Sequence, residues 1–137
     1  MPKSRLNQRY SNYSKAVSRL HELLQLEETN DYIYDAAIQR FEFTYELAWK
    51  LLKAYLEHTG ITGVNSPRKA FKEAFASELI YDGDKWMDML EDRNLTTHTY
   101  DEEQARAIYC RIKEYYIHLF IKLRERLKGE ILKCDLD

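Results

Sequence analysis

Glycine and proline are scarce in this sequence, with four glycines and two prolines in 137 residues. Because these two residues supply many of the tight turns in proteins, their scarcity leaves room for few turns. Hydrophobic residues make up 45% of the chain and charged residues 32%, a composition that suits helices far better than strands. The length predicts a single domain, residues 1–137, that is large enough to bury a substantial core.

Cysteines, long apolar runs and a large net charge are also lacking. Cys110 and Cys134 have no metal-like spacing, and two cysteines do not make a secreted disulfide scaffold. We find no signal peptide and no membrane-spanning run, and we therefore expect a soluble, cytoplasmic protein with no membrane partner. The net charge of −2 excludes a globally basic nucleic-acid binder but permits a local basic cleft.

The sequence also lacks the ligands of a di-iron centre, which some helical bundles hold in their core. Such a centre needs Glu-x-x-His on two helices and two further glutamates. Glu114 and His118 are four residues apart, and Glu57 stands beside His58, so neither pair has the required spacing. We therefore predict no metal and no cofactor.

Apolar residues recur at helical spacing in the first part of the chain. They predict helix one from about Ser4 to Glu28 and helix two from an N-cap at Asn30 or Asp31 to His58. Helix two has an apolar seam and a second apolar stripe, so we predict that it is the central helix. The seam consists of Tyr34, Ile38, Phe41, Tyr45, Ala48, Leu52 and Tyr55.

Two shorter helices and one long helix follow. Ser66-Pro67 predicts the start of helix three, which carries residues up to Leu79, and helix four begins near Asp84. The last helix is capped by Thr99 or Asp101 and runs to about Lys128. The inner stripe of this last helix is predicted to be Ala105, Ile108, Ile112, Tyr115, Leu119 and Leu123. The predicted fold is all-α, an antiparallel up-and-down four-helix bundle with one arm split into two shorter helices.

The stretch Trp86–Tyr100 joins the split arm to the last helix and gathers an arginine, a histidine and a tyrosine. On an unbroken helix, Arg93 and His98 would point about 140° apart, because each residue turns about 100°. The two side chains can share a site only if the helix ends between them or if they meet through a second copy of the chain.

Arg93 and His98 have both a structural and a chemical interpretation. In the structural one, Arg93 pairs with Asp88, Glu91 or Asp92, and His98 caps a helix end. In the chemical one, the arginine stabilises charge on a phosphate and the histidine transfers a proton near pH 7. Cleavage of RNA through its own 2′-hydroxyl needs a base, an acid and a cation. A two-fold dimer would supply two histidines and two arginines without a metal.

Three segments together resemble a known family. They are Phe41-Glu42-Phe43-Thr44-Tyr45-Glu46-Leu47-Ala48-Trp49-Lys50, Ser66-Pro67-Arg68-Lys69-Ala70 and Trp86–Tyr100. They are similar to the nucleotidyltransferase substrate-binding family, which belongs to the HEPN superfamily of helical-bundle proteins. The resemblance implies that Arg93 and His98 form the Arg-x4-6-His motif of a metal-independent ribonuclease site at a homodimer interface.

The resemblance also implies a partner and a means of control. In related HEPN toxins the motif continues as His-x-Tyr, and a minimal nucleotidyltransferase, the MNT antitoxin, transfers AMP from ATP to that tyrosine. The corresponding residue here is Tyr100. The family's older name implies another role, that of a subunit that presents substrate to the nucleotidyltransferase.

We therefore expect the HEPN toxin of a HEPN/MNT toxin–antitoxin pair, a homodimer that cleaves RNA and associates with its MNT partner. His98 is the expected general acid or base, Arg93 the residue that binds the scissile phosphate, and Asn94 a residue that positions it. Tyr100 is the expected acceptor of AMP. The alternatives are a non-catalytic substrate-binding subunit of a nucleotidyltransferase and a purely structural helical dimer.

Overall fold

The computed structural model describes residues 3–28 and 30–136, and every regular element within these ranges is helical. The all-α prediction is therefore confirmed. The helices are α1 (Lys3–Leu24), α2 (Tyr32–His58), α3 (Pro67–Ala76), α4 (Gly83–Leu95), α5 (Glu102–Arg111) and α6 (Ile117–Leu136). A five-residue π-helical turn, Ile112–Tyr116, joins α5 to α6, so the last arm is one continuous helical segment.

Contacts between the long helices fix their relative directions. Tyr34 packs edge-on against Tyr109, and about two turns further along both segments Phe41 stacks on Tyr116, so α2 runs parallel to the last arm. The Tyr13 hydroxyl donates to the carbonyl of Phe120 at 2.7 Å, and the Tyr10 hydroxyl donates to that of Arg124 at 3.2 Å. The donor that comes later in α1 bonds to the acceptor that comes earlier in α6, so α1 is antiparallel to α6. Helices α1 and α2 therefore run in opposite directions.

Helix α2 lies at the centre of the molecule, in contact with α1, α3 and α5. One continuous cluster of buried apolar side chains surrounds it. The predicted seam is confirmed, since each of its members is buried: Tyr34, Ile38, Phe41, Tyr45, Ala48, Leu52 and Tyr55.

The helix starts follow the predicted caps. The backbone N–H of Lys69 donates to Ser66 Oγ at 3.2 Å, with Pro67 in the first turn of α3. At α5 the N-cap is Asp101 and not Thr99. The Gln104 N–H donates to Asp101 Oδ1 at 2.8 Å, and the Asp101 N–H donates to Gln104 Oε1 at 2.9 Å. This reciprocal pair satisfies two donors at the helix start.

Several predicted helix ends are wrong. Helix α1 ends at Leu24 and not at Glu28, because the next apolar residue, Leu26, has no core to face and is exposed. Helix α3 ends at Ala76, before Leu79, and Glu78 then adopts a φ of 60° that a helix does not allow. The last arm extends past Lys128 to Leu136.

The predicted inner stripe of the last arm is wrong at one position. Tyr115 is 43% exposed, with the Lys85 ammonium 4.0 Å from its ring centroid, and Tyr116 is buried instead. A π-helical turn holds one residue more than an α-helical turn and so rotates the following side chains. Leu119 and Leu123 are buried as predicted.

None of the described helices combines the length and the apolarity that crossing a bilayer requires.

Candidate active site

Helix α4 ends between Arg93 and His98, as a shared site within one chain requires. Its last residue is Leu95, and the Thr96 N–H donates to the carbonyl of Asp92 at 3.1 Å. The His98 N–H then donates to the carbonyl of Leu95 at 3.2 Å, which makes a tight turn. Arg93 thus lies in the last turn of α4, where its charge complements the negative end of the helix dipole, and His98 lies in the turn that follows.

Arg93 is held by a carboxylate from the central helix. Its Nη1 lies 3.3 Å from Glu42 Oε2, and Thr96 Oγ1 lies 3.2 Å from the same oxygen. The Thr96 hydroxyl also approaches the carbonyl of Arg93 at 2.7 Å. The Arg93 side chain is 20% exposed, and its Nε is buried without a hydrogen-bond partner in the described part of the chain. The guanidinium is therefore fixed in place and retains a donor.

The predicted alternative partners of Arg93 each have another cation. Asp88 lies 3.9 Å from Lys85, and Glu91 lies 3.5 Å from Arg68. Asp92 is paired with Arg111, at 2.7 Å. The structural interpretation of Arg93 as the partner of one of these residues is wrong, because its carboxylate comes from Glu42 on another helix.

His98 is exposed and lines a cleft of about 260 Å³ together with Tyr100 and residues of α5. Tyr100 is half-buried and packs against the core. Burial raises the pKa of its phenol, and the negative charges of Asp35 and Glu42 raise it further. Tyr100 therefore lies near the carboxylate that holds Arg93, and its phenol is protonated at neutral pH.

Asn94, the predicted phosphate-positioning residue, is exposed beside Arg93. Its backbone carbonyl accepts from the Thr97 N–H at 3.2 Å and from the Thr97 hydroxyl at 2.7 Å. The turn is thus stabilised through the Asn94 backbone. Its side chain does not line the cleft that contains His98.

An ion pair between Asp92 and Arg111 lies beside the site and was not predicted from the sequence. Asp92 is 6% exposed and accepts two bonds from Arg111, from Nε at 2.7 Å and from Nη2 at 2.8 Å. The Tyr116 hydroxyl donates to the same carboxylate, and burial together with this bond raises the pKa of the Tyr116 phenol. The three residues tie the end of α4 to both ends of the π-helical turn.

The sequence did carry a signal for this cluster. Asp92 stands three residues after Met89, on the apolar side of α4, and a carboxylate on such a face needs a partner. The sequence did not show which residues would pair with Asp92, because the π-helical turn that brings Arg111 and Tyr116 together has no clear sequence pattern.

Within residues 3–28 and 30–136, no three His, Cys, Asp or Glu side chains gather closely enough to hold a metal ion.

Comparison with known proteins relates this geometry to one family. Residues 8–129 match the family model described as "Nucleotidyltransferase substrate binding protein like". A protein of Haemophilus influenzae named probable ribonuclease HepT is 38% identical over 103 residues, which is 70% of either chain.

Two solved structures share the fold. One is a Haemophilus influenzae protein described as showing the fold of a substrate binding domain of a nucleotidyltransferase. It is 30% identical, with a TM-score of 0.66 over 93% of this chain and 99% of that one. The other is a chain from the toxin–antitoxin MntA–HepT, with a TM-score of 0.74 over 90% and 97% of the two chains. At 15% identity its likeness concerns the fold alone. With a match that spans most of its length, the chain belongs to the nucleotidyltransferase substrate-binding-like family, as its three motif segments predicted.

Proposed function

We propose that this chain is the HEPN toxin of a toxin–antitoxin pair and that it cleaves RNA in the cytoplasm without a metal ion. One observation carries the proposal. Helix α4 ends so that a fixed, partly buried arginine and an exposed histidine stand on adjacent turns of the backbone. The relative named probable ribonuclease supports the same reaction class.

The chemistry needs two imidazoles and a cation, which Arg93 and His98 of two copies of the chain would provide. The 2′-oxygen of RNA bonds to the neighbouring phosphorus while the bond from phosphorus to the 5′-oxygen breaks, which leaves a 2′,3′-cyclic phosphate and a 5′-hydroxyl. One imidazole takes the proton from the 2′-hydroxyl, and a protonated imidazole gives one to the leaving oxygen. Arg93 stabilises the charge on the phosphorane, and Asn94 positions the phosphate.

Glu42 sets the resting state of this site. Its carboxylate lies against the Arg93 guanidinium, so an incoming phosphate shares or replaces that contact. A guanidinium carries five N–H donors, so Arg93 can bind a phosphate while it keeps its contact with Glu42. Glu42 thus positions Arg93 before the substrate arrives.

The test is cleavage of a labelled single-stranded RNA by the purified chain in the presence of EDTA. Cleavage that persists in EDTA supports the proposal. Cleavage that EDTA abolishes contradicts the metal-independent mechanism, and no cleavage under either condition contradicts the ribonuclease.

A dimer is expected because one chain supplies one such histidine. The proposed interface contains α4 and the turn up to Tyr100, and Leu95 is 50% exposed in this region. We expect sedimentation at micromolar concentration to give a dimer for the wild-type chain and a monomer for Leu95→Asp. Leu26→Asp is the matched control, because Leu26 has a similar exposure but lies after α1. A monomeric wild-type chain, or a dimer that Leu95→Asp leaves intact, would contradict this interface.

Tyr100 is the proposed acceptor of AMP from an MNT partner. Its phenol oxygen would bond to the α-phosphorus of ATP as pyrophosphate leaves. Because the pKa of this phenol is raised, a base must remove its proton, and we assign that base to the partner. We expect mass spectrometry to show a gain of AMP after incubation with the partner, ATP and magnesium. The gain should disappear in Tyr100→Phe and persist in Tyr81→Phe. Tyr81 is a suitable control because it is exposed but lies before α4, outside the motif. A gain that persists in Tyr100→Phe would place the acceptor elsewhere.

A second candidate is a non-catalytic substrate-binding subunit of a nucleotidyltransferase. The Glu42–Arg93 contact favours it, because an arginine already neutralised by a carboxylate is a weaker phosphate catalyst. Expression of the chain alone separates the two roles. Growth arrest that depends on Arg93 and His98 supports the toxin. Normal growth, together with faster transfer by the partner when this chain is present, supports the subunit.

A further inference from the structure

Helix α5 forms one wall of the cleft beside His98, and the proposed cleavage chemistry uses none of the residues of that wall. One stripe of α5 faces the turn after α4, and its residues follow one another at intervals of three, one and three, which keeps them on one side of the helix. The stripe consists of Gln104, Ala107, Ile108 and Arg111. Leu95, His98, Thr99 and Tyr100 form the opposite wall. Ala107 is the smallest member of the stripe, and the absence of a longer side chain there keeps the cleft open.

Arg111 gives this cleft a fixed cation. Its Nε and Nη2 are bonded to the buried carboxylate of Asp92, which orients the guanidinium plane. A guanidinium carries five N–H donors, so these two bonds leave others for an anion in the cleft. An arginine held in this way loses little conformational entropy on binding.

Gln104 adds a donor of the same kind. Its side-chain oxygen already accepts from the Asp101 N–H, so the amide nitrogen remains to donate. Leu95, Ala107 and Ile108 supply an apolar part of the lining, and Tyr100 contributes an aromatic ring. The cleft therefore combines an apolar floor, a stacking surface and hydrogen-bond donors. These are the features with which proteins hold an unpaired base and its phosphate.

We propose that this cleft binds one unpaired nucleotide of the RNA substrate, next to the phosphate that is cleaved at His98. The base lies against Tyr100 and the apolar wall, and the phosphate binds Arg111. This inference rests on the proposed ribonuclease function and specifies its substrate as single-stranded RNA, because a base paired in a duplex cannot enter the cleft.

The same cleft accounts for the effect of the proposed modification. AMP attached to Tyr100 would carry a nucleotide into a space that already suits one. Its phosphate would compete for Arg111, and its adenine would fill the place of the substrate base. The modified chain would then exclude RNA by occupying its binding site.

Filling the cleft tests the proposal. Ala107→Leu adds three carbons within it and leaves the Asp92–Arg111 pair intact. Ala76→Leu is the matched control, at an exposed position at the end of α3. The probe is a short, fluorescent, single-stranded 2′-O-methyl RNA, which binds but cannot be cleaved because its attacking hydroxyl is blocked. We expect Ala107→Leu to weaken binding of this RNA roughly tenfold or more, the scale of losing one stacked base. Ala76→Leu should leave the affinity unchanged.

The outcomes separate this inference from the proposed function. Equal affinity for Ala107→Leu and Ala76→Leu would overturn the nucleotide site even if the wild-type chain cleaves RNA. Weakened binding in Ala107→Leu would uphold the site even if the wild-type chain cleaves nothing, and the ribonuclease proposal alone would then fail. Tighter binding of a duplex of the same sequence would also overturn the site. Sedimentation tests another explanation for weaker RNA binding by Ala107→Leu. Loss of the dimer in this variant would show that a second copy of the chain covers the cleft, which would overturn the nucleotide site.

Discussion

We expect the His98→Ala variant to cleave RNA about 10²–10⁴-fold more slowly than the wild-type chain, the usual cost of losing a general acid or base. The fold should survive, since His98 is exposed in a turn and the bond that forms this turn comes from its backbone N–H. Circular dichroism should therefore show unchanged helical content. The measurement is the single-turnover rate of cleavage of a labelled RNA, with EDTA present throughout.

His118→Ala is the control for this prediction. His118 is also exposed, but it lies on α6 and does not line the cleft. We expect its cleavage rate to match that of the wild-type chain. Arg93→Ala should be slow like His98→Ala, because the phosphorane would lose its cation. Equal rates for His98→Ala and His118→Ala would show that the imidazole of His98 takes no part in the reaction.

Much of the fold was predictable because it depends on local periodicity. The buried seam of α2 and the Ser66 cap each depend on residues a few positions apart. The end of α4 between Arg93 and His98 was predictable for the same reason, since polar and β-branched residues interrupt an apolar stripe there. These features need no knowledge of the rest of the molecule.

The contacts that hold the candidate site were not predictable in this way. Glu42 and Arg93 lie on different helices and are 51 positions apart in the numbering, so their pairing follows from how α2 and α4 pack. Arg111 and Tyr116 meet at one carboxylate because a π-helical turn changes the helix phase between them. Single-sequence periodicity cannot detect that change, and the predicted inner stripe consequently included Tyr115 in place of Tyr116.

The Asp92 cluster should be the part of the site that matters most for stability. We expect Arg111→Ala to lower the free energy of unfolding by about 2–3 kcal/mol, because it leaves a buried carboxylate without its cation. This value is below the full cost of breaking a buried ion pair, since the Arg111 side chain is 40% exposed. Urea denaturation followed by circular dichroism gives the measurement. Lys122→Ala is the control, because Lys122 and Asp82 form an exposed pair at 3.7 Å whose loss should cost less than about 1 kcal/mol.

The double variant Asp92→Ala, Arg111→Ala tests why Arg111 contributes to the free energy of unfolding. If the cost comes from an unpaired buried charge, Asp92→Ala added to Arg111→Ala should cause no further loss, and the coupling between the two positions should be about 1–3 kcal/mol. The Tyr116 hydroxyl would still lose its acceptor, so stability should not return fully to the wild-type value. Equal losses for Arg111→Ala and Lys122→Ala would contradict this account. They would show that water or Tyr116 alone satisfies Asp92, and that Arg111 is oriented by something other than the ion pair. Coupling of the expected size would instead show that the buried carboxylate of Asp92 holds the end of α4 in place. The same carboxylate would then orient the Arg111 guanidinium in the nucleotide cleft.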